Sequence, residues 1–194
     1  MELILVRHAE PLEVHNPDGR PADPALSEGG RLQAESVAAW LTRGRVDRVI
    51  SSPARRAVET AEATARLAGA PVAVDPRLRD ANDDAPTYVP LEADRERDRE
   101  DYLARVAAYR DSPRLVSIAD RVNEAIGEWV SQASGQRVVV FCHGSVINVY
   151  AAGVLGLDNA AFLEAGYASG HRFLISSSGV RSVQSLNETA YLLT

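Results

Sequence analysis

The sequence predicts an α/β protein, a three-layer α/β/α sandwich built on a mostly parallel central sheet with an antiparallel edge. Three observations predict it. The runs Leu3-Ile4-Leu5-Val6 and Val138-Val139-Val140-Phe141 are apolar throughout instead of alternating, as in strands buried on both faces. Helix candidates with apolar residues every three or four positions stand between strand candidates, and that order implies parallel strands under covering helices. The last two strand candidates are separated only by Ser177-Ser178-Gly179, which reads as a hairpin.

Taken in order, Glu2 to Val6 is the first strand. Residues 10–26 contain Asn16-Pro17-Asp18-Gly19 and read as a long loop. Ser27 is placed to cap a helix reaching about Leu41, with Leu32, Ala34, Val37, Ala38 and Leu41 as its apolar stripe. Val46 to Ile50 is a second strand. An Ala-rich helix then runs from Ala54 to Leu67, with Pro53 at its start and Gly69 as its stop. Pro71 to Val74 is a third strand. Residues 80–113 break the pattern and predict an insertion over the carboxyl edge of the sheet. It holds Asn82-Asp83-Asp84 and the mixed run Asp94-Arg95-Glu96-Arg97-Asp98-Arg99-Glu100-Asp101, read as a solvated helix face with i,i+4 pairs. An amphipathic helix spans Ile118 to Val130, a strand spans Arg137 to Cys142, and a helix spans Ser145 to Leu155. Arg172 to Ser176 and Val180 to Leu186 form the hairpin.

At 194 residues the chain is expected to form a single domain. Its net charge of −6 argues against nonspecific binding to nucleic acid or an anionic membrane. All 21 basic residues are arginine, which removes Schiff-base and P-loop lysine chemistry. One cysteine allows no intrachain disulfide, and no apolar run approaches the roughly 18 residues of a spanning helix. Met1-Glu2-Leu3-Ile4 opens directly into a strand, with no signal-peptide pattern, so a cytoplasmic location is expected.

Two of the four histidines, His8 and His143, end apolar strands, and Arg7 accompanies the first. In open α/β sheets that edge is where ligands bind. The second strand leads into Arg55 and Arg56 in the first turn of a helix. Cations there are mildly unfavourable for the helix but useful beside an anion. Together these groups predict a pocket for a phosphate-like dianion. His15 and His171 read as a loop histidine and a strand-edge histidine. A metal site is disfavoured, since no zinc-type ligand spacing occurs.

Leu5-Val6-Arg7-His8-Ala9-Glu10, Leu26-Ser27-Glu28-Gly29-Gly30-Arg31-Leu32-Gln33-Ala34, Ser51-Ser52-Pro53-Ala54-Arg55-Arg56-Ala57-Val58-Glu59-Thr60-Ala61 and Val140-Phe141-Cys142-His143-Gly144 resemble, in order, four signatures of the histidine phosphatase superfamily. This is the phosphoglycerate mutase-like group that includes cofactor-dependent mutases and many phosphomonoesterases. The resemblance runs to Leu186-Asn187-Glu188-Thr189-Ala190.

The resemblance implies that His8 is the nucleophile and forms a phosphohistidine, while Arg7, Arg56 and His143 bind phosphate and stabilise its charge. Arg56 is preferred to Arg55 by the motif match. The family's acid is usually a glutamate after the third strand. Here Leu78-Arg79-Asp80 holds that place, so Asp80 is the candidate, with Asp83 and Asp84 in reserve. Aspartate's lower reference pKa (about 3.9, against about 4.3 for glutamate) leads to an expected acidic optimum. Departures are Ala9 for a glycine, Val14 where an asparagine is usual with Asn16 nearby, and Ala81-Asn82-Asp83-Asp84-Ala85-Pro86 in place of an aromatic-glycine segment. The implied activity is a phosphomonoesterase acting on a small phosphate ester, with no cofactor, no metal, and no nucleic-acid or membrane partner. The alternatives are a mutase-type phosphotransferase and a phosphate-binding regulatory module. No oligomeric state or physiological substrate follows.

Overall fold

The computed structural model describes residues 1–90, 92, 95, 97–110 and 112–192. The strands are β1 (Glu2–Arg7), β2 (Val14–His15), β3 (Arg48–Ser51), β4 (Val72–Val74), β5 (Thr87–Tyr88), β6 (Arg137–Cys142), β7 (Gly170–Ile175) and β8 (Arg181–Glu188). The helices are α1 (Glu28–Leu41), α2 (Arg55–Ala68), α3 (Arg99–Arg110), α4 (Pro113–Ser131) and α5 (Gly144–Leu155).

Six strands form one sheet in the order β4-β3-β6-β1-β7-β8. The first four are parallel, and β7 and β8 complete the antiparallel edge. The continuous apolar runs lie at its centre. Leu3 and Leu5 face a core shared with Val122 and Ile126 of α4 and Val146 and Tyr150 of α5, while Ile4 and Val6 face one shared with Val37 and Leu41 of α1 and Ala61 of α2. Each such apolar side chain contributes roughly 1.5–3 kcal/mol by leaving water. Alternating residues of one strand therefore hold both outer layers.

The strand order differs from chain order. β6 lies between β1 and β3, and α1 and α2 cover the same face. This brings three strand ends side by side. Arg7 is in register with Cys142, and Ser51 with Phe141. The backbone N–H groups of His8 and Ser52 continue the ladder past the strands, donating to Cys142 and Phe141 at 2.9 Å each.

The long loop after β1 is tied at its base. Ser27 caps α1 by accepting from the Gly30 N–H at 2.9 Å, and its hydroxyl donates to Glu10 at 2.6 Å. A Cβ on Gly30 would lie 2.0 Å from the Glu10 carbonyl oxygen, so only glycine lets the helix approach this closely. The loop also contains β2, which pairs with β5 of the insertion. Two residues are too few to leave a periodic signal, so the sequence shows only a loop there.

In the insertion, Asp98 caps α3 by accepting from the Glu100 and Asp101 N–H groups. Arg95 and Arg97 pair with Glu164 and Glu13, far along the chain. Asp94 and Glu96 of that run lie outside the described residues.

Candidate active site

The convergence of strand ends places His8, Ser52 and His143 at one edge, where α2 adds Arg56 and the turn after β4 adds Asp80. Residues of the insertion, among them Tyr88, Glu92 and Arg105, line a cleft of about 740 Å³ together with Arg7, His8 and Asp80.

His8 is buried, and its Nδ1 lies 2.8 Å from its neighbour's carbonyl, Ala9 O. A carbonyl only accepts, so Nδ1 carries the hydrogen and Nε2 keeps its lone pair. Arg56 Nε donates to that Nε2 at 3.3 Å. Burial first, then the charges of Arg56, the neighbouring His143 and Arg7, hold His8 well below the usual histidine range. It is neutral at physiological pH.

His143 receives Arg56 Nη2 on Nδ1 at 3.2 Å, so its Nε2–H is the group 2.8 Å from Ser52 Oγ. Burial, with Arg56, Arg7 and Arg121 next, holds it well below the histidine range as well. The rings of His8 and His143 are 5.3 Å apart.

Arg56 is 1% exposed, and its Nη2 also lies 3.5 Å from Asp80 Oδ2. Its Nη1 is buried with no hydrogen-bond partner among the described residues. A guanidinium N–H left unpaired in the interior is costly, and an anion entering beside His8 would satisfy it. Its guanidinium lies over the Tyr88 ring at 4.8 Å. Thr60 joins this helix turn to the strand end, donating to the Arg56 carbonyl at 2.6 Å and accepting from the Ala9 N–H at 3.0 Å.

Arg7 stacks on Tyr167, 3.9 Å from the ring centroid, and its Nη1 donates to Ala165 O at 2.5 Å. It is also ion-paired with Glu92 of the insertion. Burial would raise the Glu92 carboxyl, but the charge and hydrogen bond of Arg7 outweigh it and keep the group below the usual carboxylate range. A carboxylate thus occupies the Arg7 guanidinium.

Asp80 lies in the cleft. Its Oδ1 accepts from Ser145 Oγ at 2.5 Å and from the Ala81 N–H at 2.8 Å. Asp83 pairs with Arg79 and Asp84 with Arg114, and neither lines the cleft. Arg55 is exposed and paired with Glu59, turned away from the cluster. His15 is exposed against Thr87, and Asn16 donates to the carbonyls of Arg20 and Pro21. His171 is buried in β7, bonded to Ser169 and to the Asn187 N–H. Thus Arg7, His8, Arg56, Asp80 and His143 come together, and Arg55, Asp83, Asp84, His15 and His171 do not.

Sequence reasoning missed Ser52, Tyr88, Glu92, Ser145 and Tyr167. Ser52 stands inside one quoted motif and Ser145 directly follows another, and that placement is the signal that could have found them. Glu92 and the tyrosines sit in segments with no pattern tying them to the strand ends. Among the described residues, no group of three His, Cys, Asp or Glu is placed to hold a metal ion, and no helix is long and apolar enough to cross a membrane.

Residues 3–189 match the family model described as the histidine phosphatase superfamily, branch 1. The chain is 30% identical to phosphoserine phosphatase 1 of Hydrogenobacter thermophilus, aligning 99% of this chain with 94% of that protein. It is 33% identical to a glucosyl-3-phosphoglycerate phosphatase of Mycolicibacterium vanbaalenii, over 80% of this chain and 74% of that protein. Among solved structures, a mycobacterial glucosyl-3-phosphoglycerate phosphatase in complex with VO3 superposes with a TM-score of 0.75 at 27% identity, covering 97% of this chain and 99% of the other.

Proposed function

Because the chain belongs to the histidine phosphatase superfamily, branch 1, we propose that it hydrolyses a small phosphate monoester through a phosphohistidine on His8. One observation carries this reading above the others: the Ala9 carbonyl holds Nδ1–H, leaving a neutral Nε2 lone pair directed at the buried Arg56 Nε donor. A neutral imidazole with one nitrogen anchored is a competent nucleophile.

In this reading the dianion enters beside His8 and takes Arg56 Nη1, which lacks a partner among the described residues, and Nε, which would shift from His8 Nε2 onto a phosphate oxygen. Arg7 and His143 share the remaining oxygens, with Glu92 displaced from Arg7. Nε2 then attacks phosphorus in line as the P–O bond to the leaving group breaks, and Asp80 gives the departing oxygen its proton. Guanidinium groups fixed in a dry site stabilise the charge spread over the equatorial oxygens. In the second half, the Asp80 carboxylate takes a proton from water. The resulting hydroxide attacks phosphorus, the P–N bond breaks, and inorganic phosphate leaves with His8 restored. No step calls on a metal. Residues 80–113 act as the lid that selects the alcohol.

The test is a panel at several pH values, with and without EDTA, comparing wild type with His8→Ala. Phosphoserine and glucosyl-3-phosphoglycerate belong in it because similar proteins are named for them, and 3-phosphoglycerate is included to detect isomerisation. Wild type is expected to release phosphate and, after rapid quenching, to carry an acid-labile, alkali-stable label. His8→Ala should lose at least about 10³-fold in kcat/KM. Activity retained by His8→Ala, or lost on chelation, would refute the mechanism. Isomerisation of 3-phosphoglycerate without phosphate release would assign a mutase.

A further inference from the structure

The two oxygens of Asp80 stand in different surroundings. Oδ1 accepts from both the Ser145 hydroxyl and the Ala81 N–H. The same N–H reaches Ser145 Oγ at 3.2 Å, so that oxygen is already an acceptor and its hydrogen points at the carboxylate. Oδ2 lies 3.5 Å from Nη2 of Arg56, the guanidinium that also meets His8 and His143. A proton on Oδ1 would be pushed against two donor hydrogens, whereas a proton on Oδ2 meets none from Ser145 or Ala81.

We propose that Ser145 is a positioning residue for the reaction, anchoring Oδ1 so that Oδ2 carries the proton and meets the leaving oxygen. The proposal rests on the reading of Asp80 as the general acid. Ser145 stands two residues after His143 at the buried start of α5, so the helix that follows His143 also aims the acid. A hydroxyl donating to a carboxylate makes a charge-assisted bond, stronger than one to the neutral acid. Ser145 therefore favours the ionised form that activates water in the second half-reaction, and it restrains a side chain one methylene shorter than glutamate.

Other groups bear on Asp80 from every side. They are Arg56 of α2, Tyr88 of β5, Tyr109 of α3, Arg121 of α4 and Cys142 at the end of β6, with Arg105 of α3 lining the same cleft. Arg121 also donates to the Asp80 carbonyl at 3.4 Å. Arg79 and Arg114 are engaged by Asp83 and Asp84. The Ser145 hydroxyl can be removed while all of these stay in place.

The experiment compares pH profiles of kcat/KM for wild type, Ser145→Ala, Ser145→Cys, Ser145→Thr and Asp80→Asn. Each is run on phosphoserine, whose alkoxide needs a proton to leave, and on p-nitrophenyl phosphate, whose phenolate does not. Ser145→Ala should lose roughly 10- to 100-fold on phosphoserine, clearly less on the aryl ester, and its alkaline limb should move up by about one pH unit. Ser145→Cys, nearly isosteric but a weak donor, should move the limb the same way, and Ser145→Thr should restore it. Equal loss on both esters with an unmoved limb in Ser145→Ala and Ser145→Cys would overturn the positioning role while leaving Asp80 as the acid. Asp80→Asn retaining full activity on phosphoserine and a normal alkaline limb would instead overturn the assignment of Asp80, and this proposal with it.

Discussion

The Arg56 guanidinium touches three candidate catalytic groups, meeting His8 through Nε and both His143 and Asp80 through Nη2. Lysine has neither the fork nor the Nε donor, so Arg56→Lys is not conservative here. It should lower kcat/KM by about 10²–10³-fold with little change in thermal midpoint, measured by steady-state kinetics and a melting curve. In the proposed mechanism His8 sets the acid limb of the pH profile. Burial and its cationic neighbours keep it neutral well below pH 6.5, so activity should persist at pH 5.5. A kcat/KM profile that falls away below pH 6.5 would contradict that. Glu92 adds a prediction that sequence reasoning could not make. In the proposed mechanism its carboxylate, ion-paired with Arg7, competes with phosphate for that guanidinium, so Glu92→Gln should lower KM several-fold by removing a charge beside a dianion. An unchanged or higher KM would show that Glu92 does not compete.

Individual elements matter through what they anchor. The turn after β4 carries Asp80, and Asp75 fixes that turn. It accepts from the Arg77 backbone N–H at 2.9 Å, from the Arg77 guanidinium, and from Trp129 Nε1 at 2.9 Å, tying the sheet edge to α4. Burial pushes its carboxyl up, but the bonds from Arg77 and Trp129 outweigh this and lower it. Asp75→Ala would strand the indole N–H and free the turn, costing about 1–3 kcal/mol in denaturant unfolding, with kcat falling as Asp80 loses its place. The helices and long strands were legible because each repeats a pattern over many residues. The caps at Ser27 and Gly69 appear where the sequence puts them. The β2–β5 ribbon and the distant partners of Arg95 and Arg97 were not legible, because each depends on segments about 70 or more residues apart meeting over the cleft.

Taken whole, the molecule stores three neutral histidines: His8, His143 and His171. Burial, with Arg7 contributing, holds His171 down to about 3. A histidine kept neutral when folded but free to protonate when unfolded leaves stability untouched above its unfolded value of about 6.5. Below that, the unfolded chain binds protons that the folded chain refuses, and stability falls. At pH 5.5 the three together would cost up to about 4 kcal/mol relative to pH 7.5. Urea unfolding at the two pH values checks this, and equal stabilities would contradict it. Glu92 acts in a separate window, since a lowered carboxyl contributes above its unfolded value and loses that contribution only at more acidic pH. The amino-acid sequence by itself determined the layered α/β architecture, the family, and which strand ends carry Arg7, His8 and His143, because these are written in local periodicity and in motifs a few residues long. Only the tertiary structure decided that β6 inserts between β1 and β3, that Asp80 reaches the cluster while Asp83 and Asp84 turn away, and that Glu92 sits on Arg7. Those outcomes follow from which distant surfaces bury one another, a competition that no local stretch of sequence records.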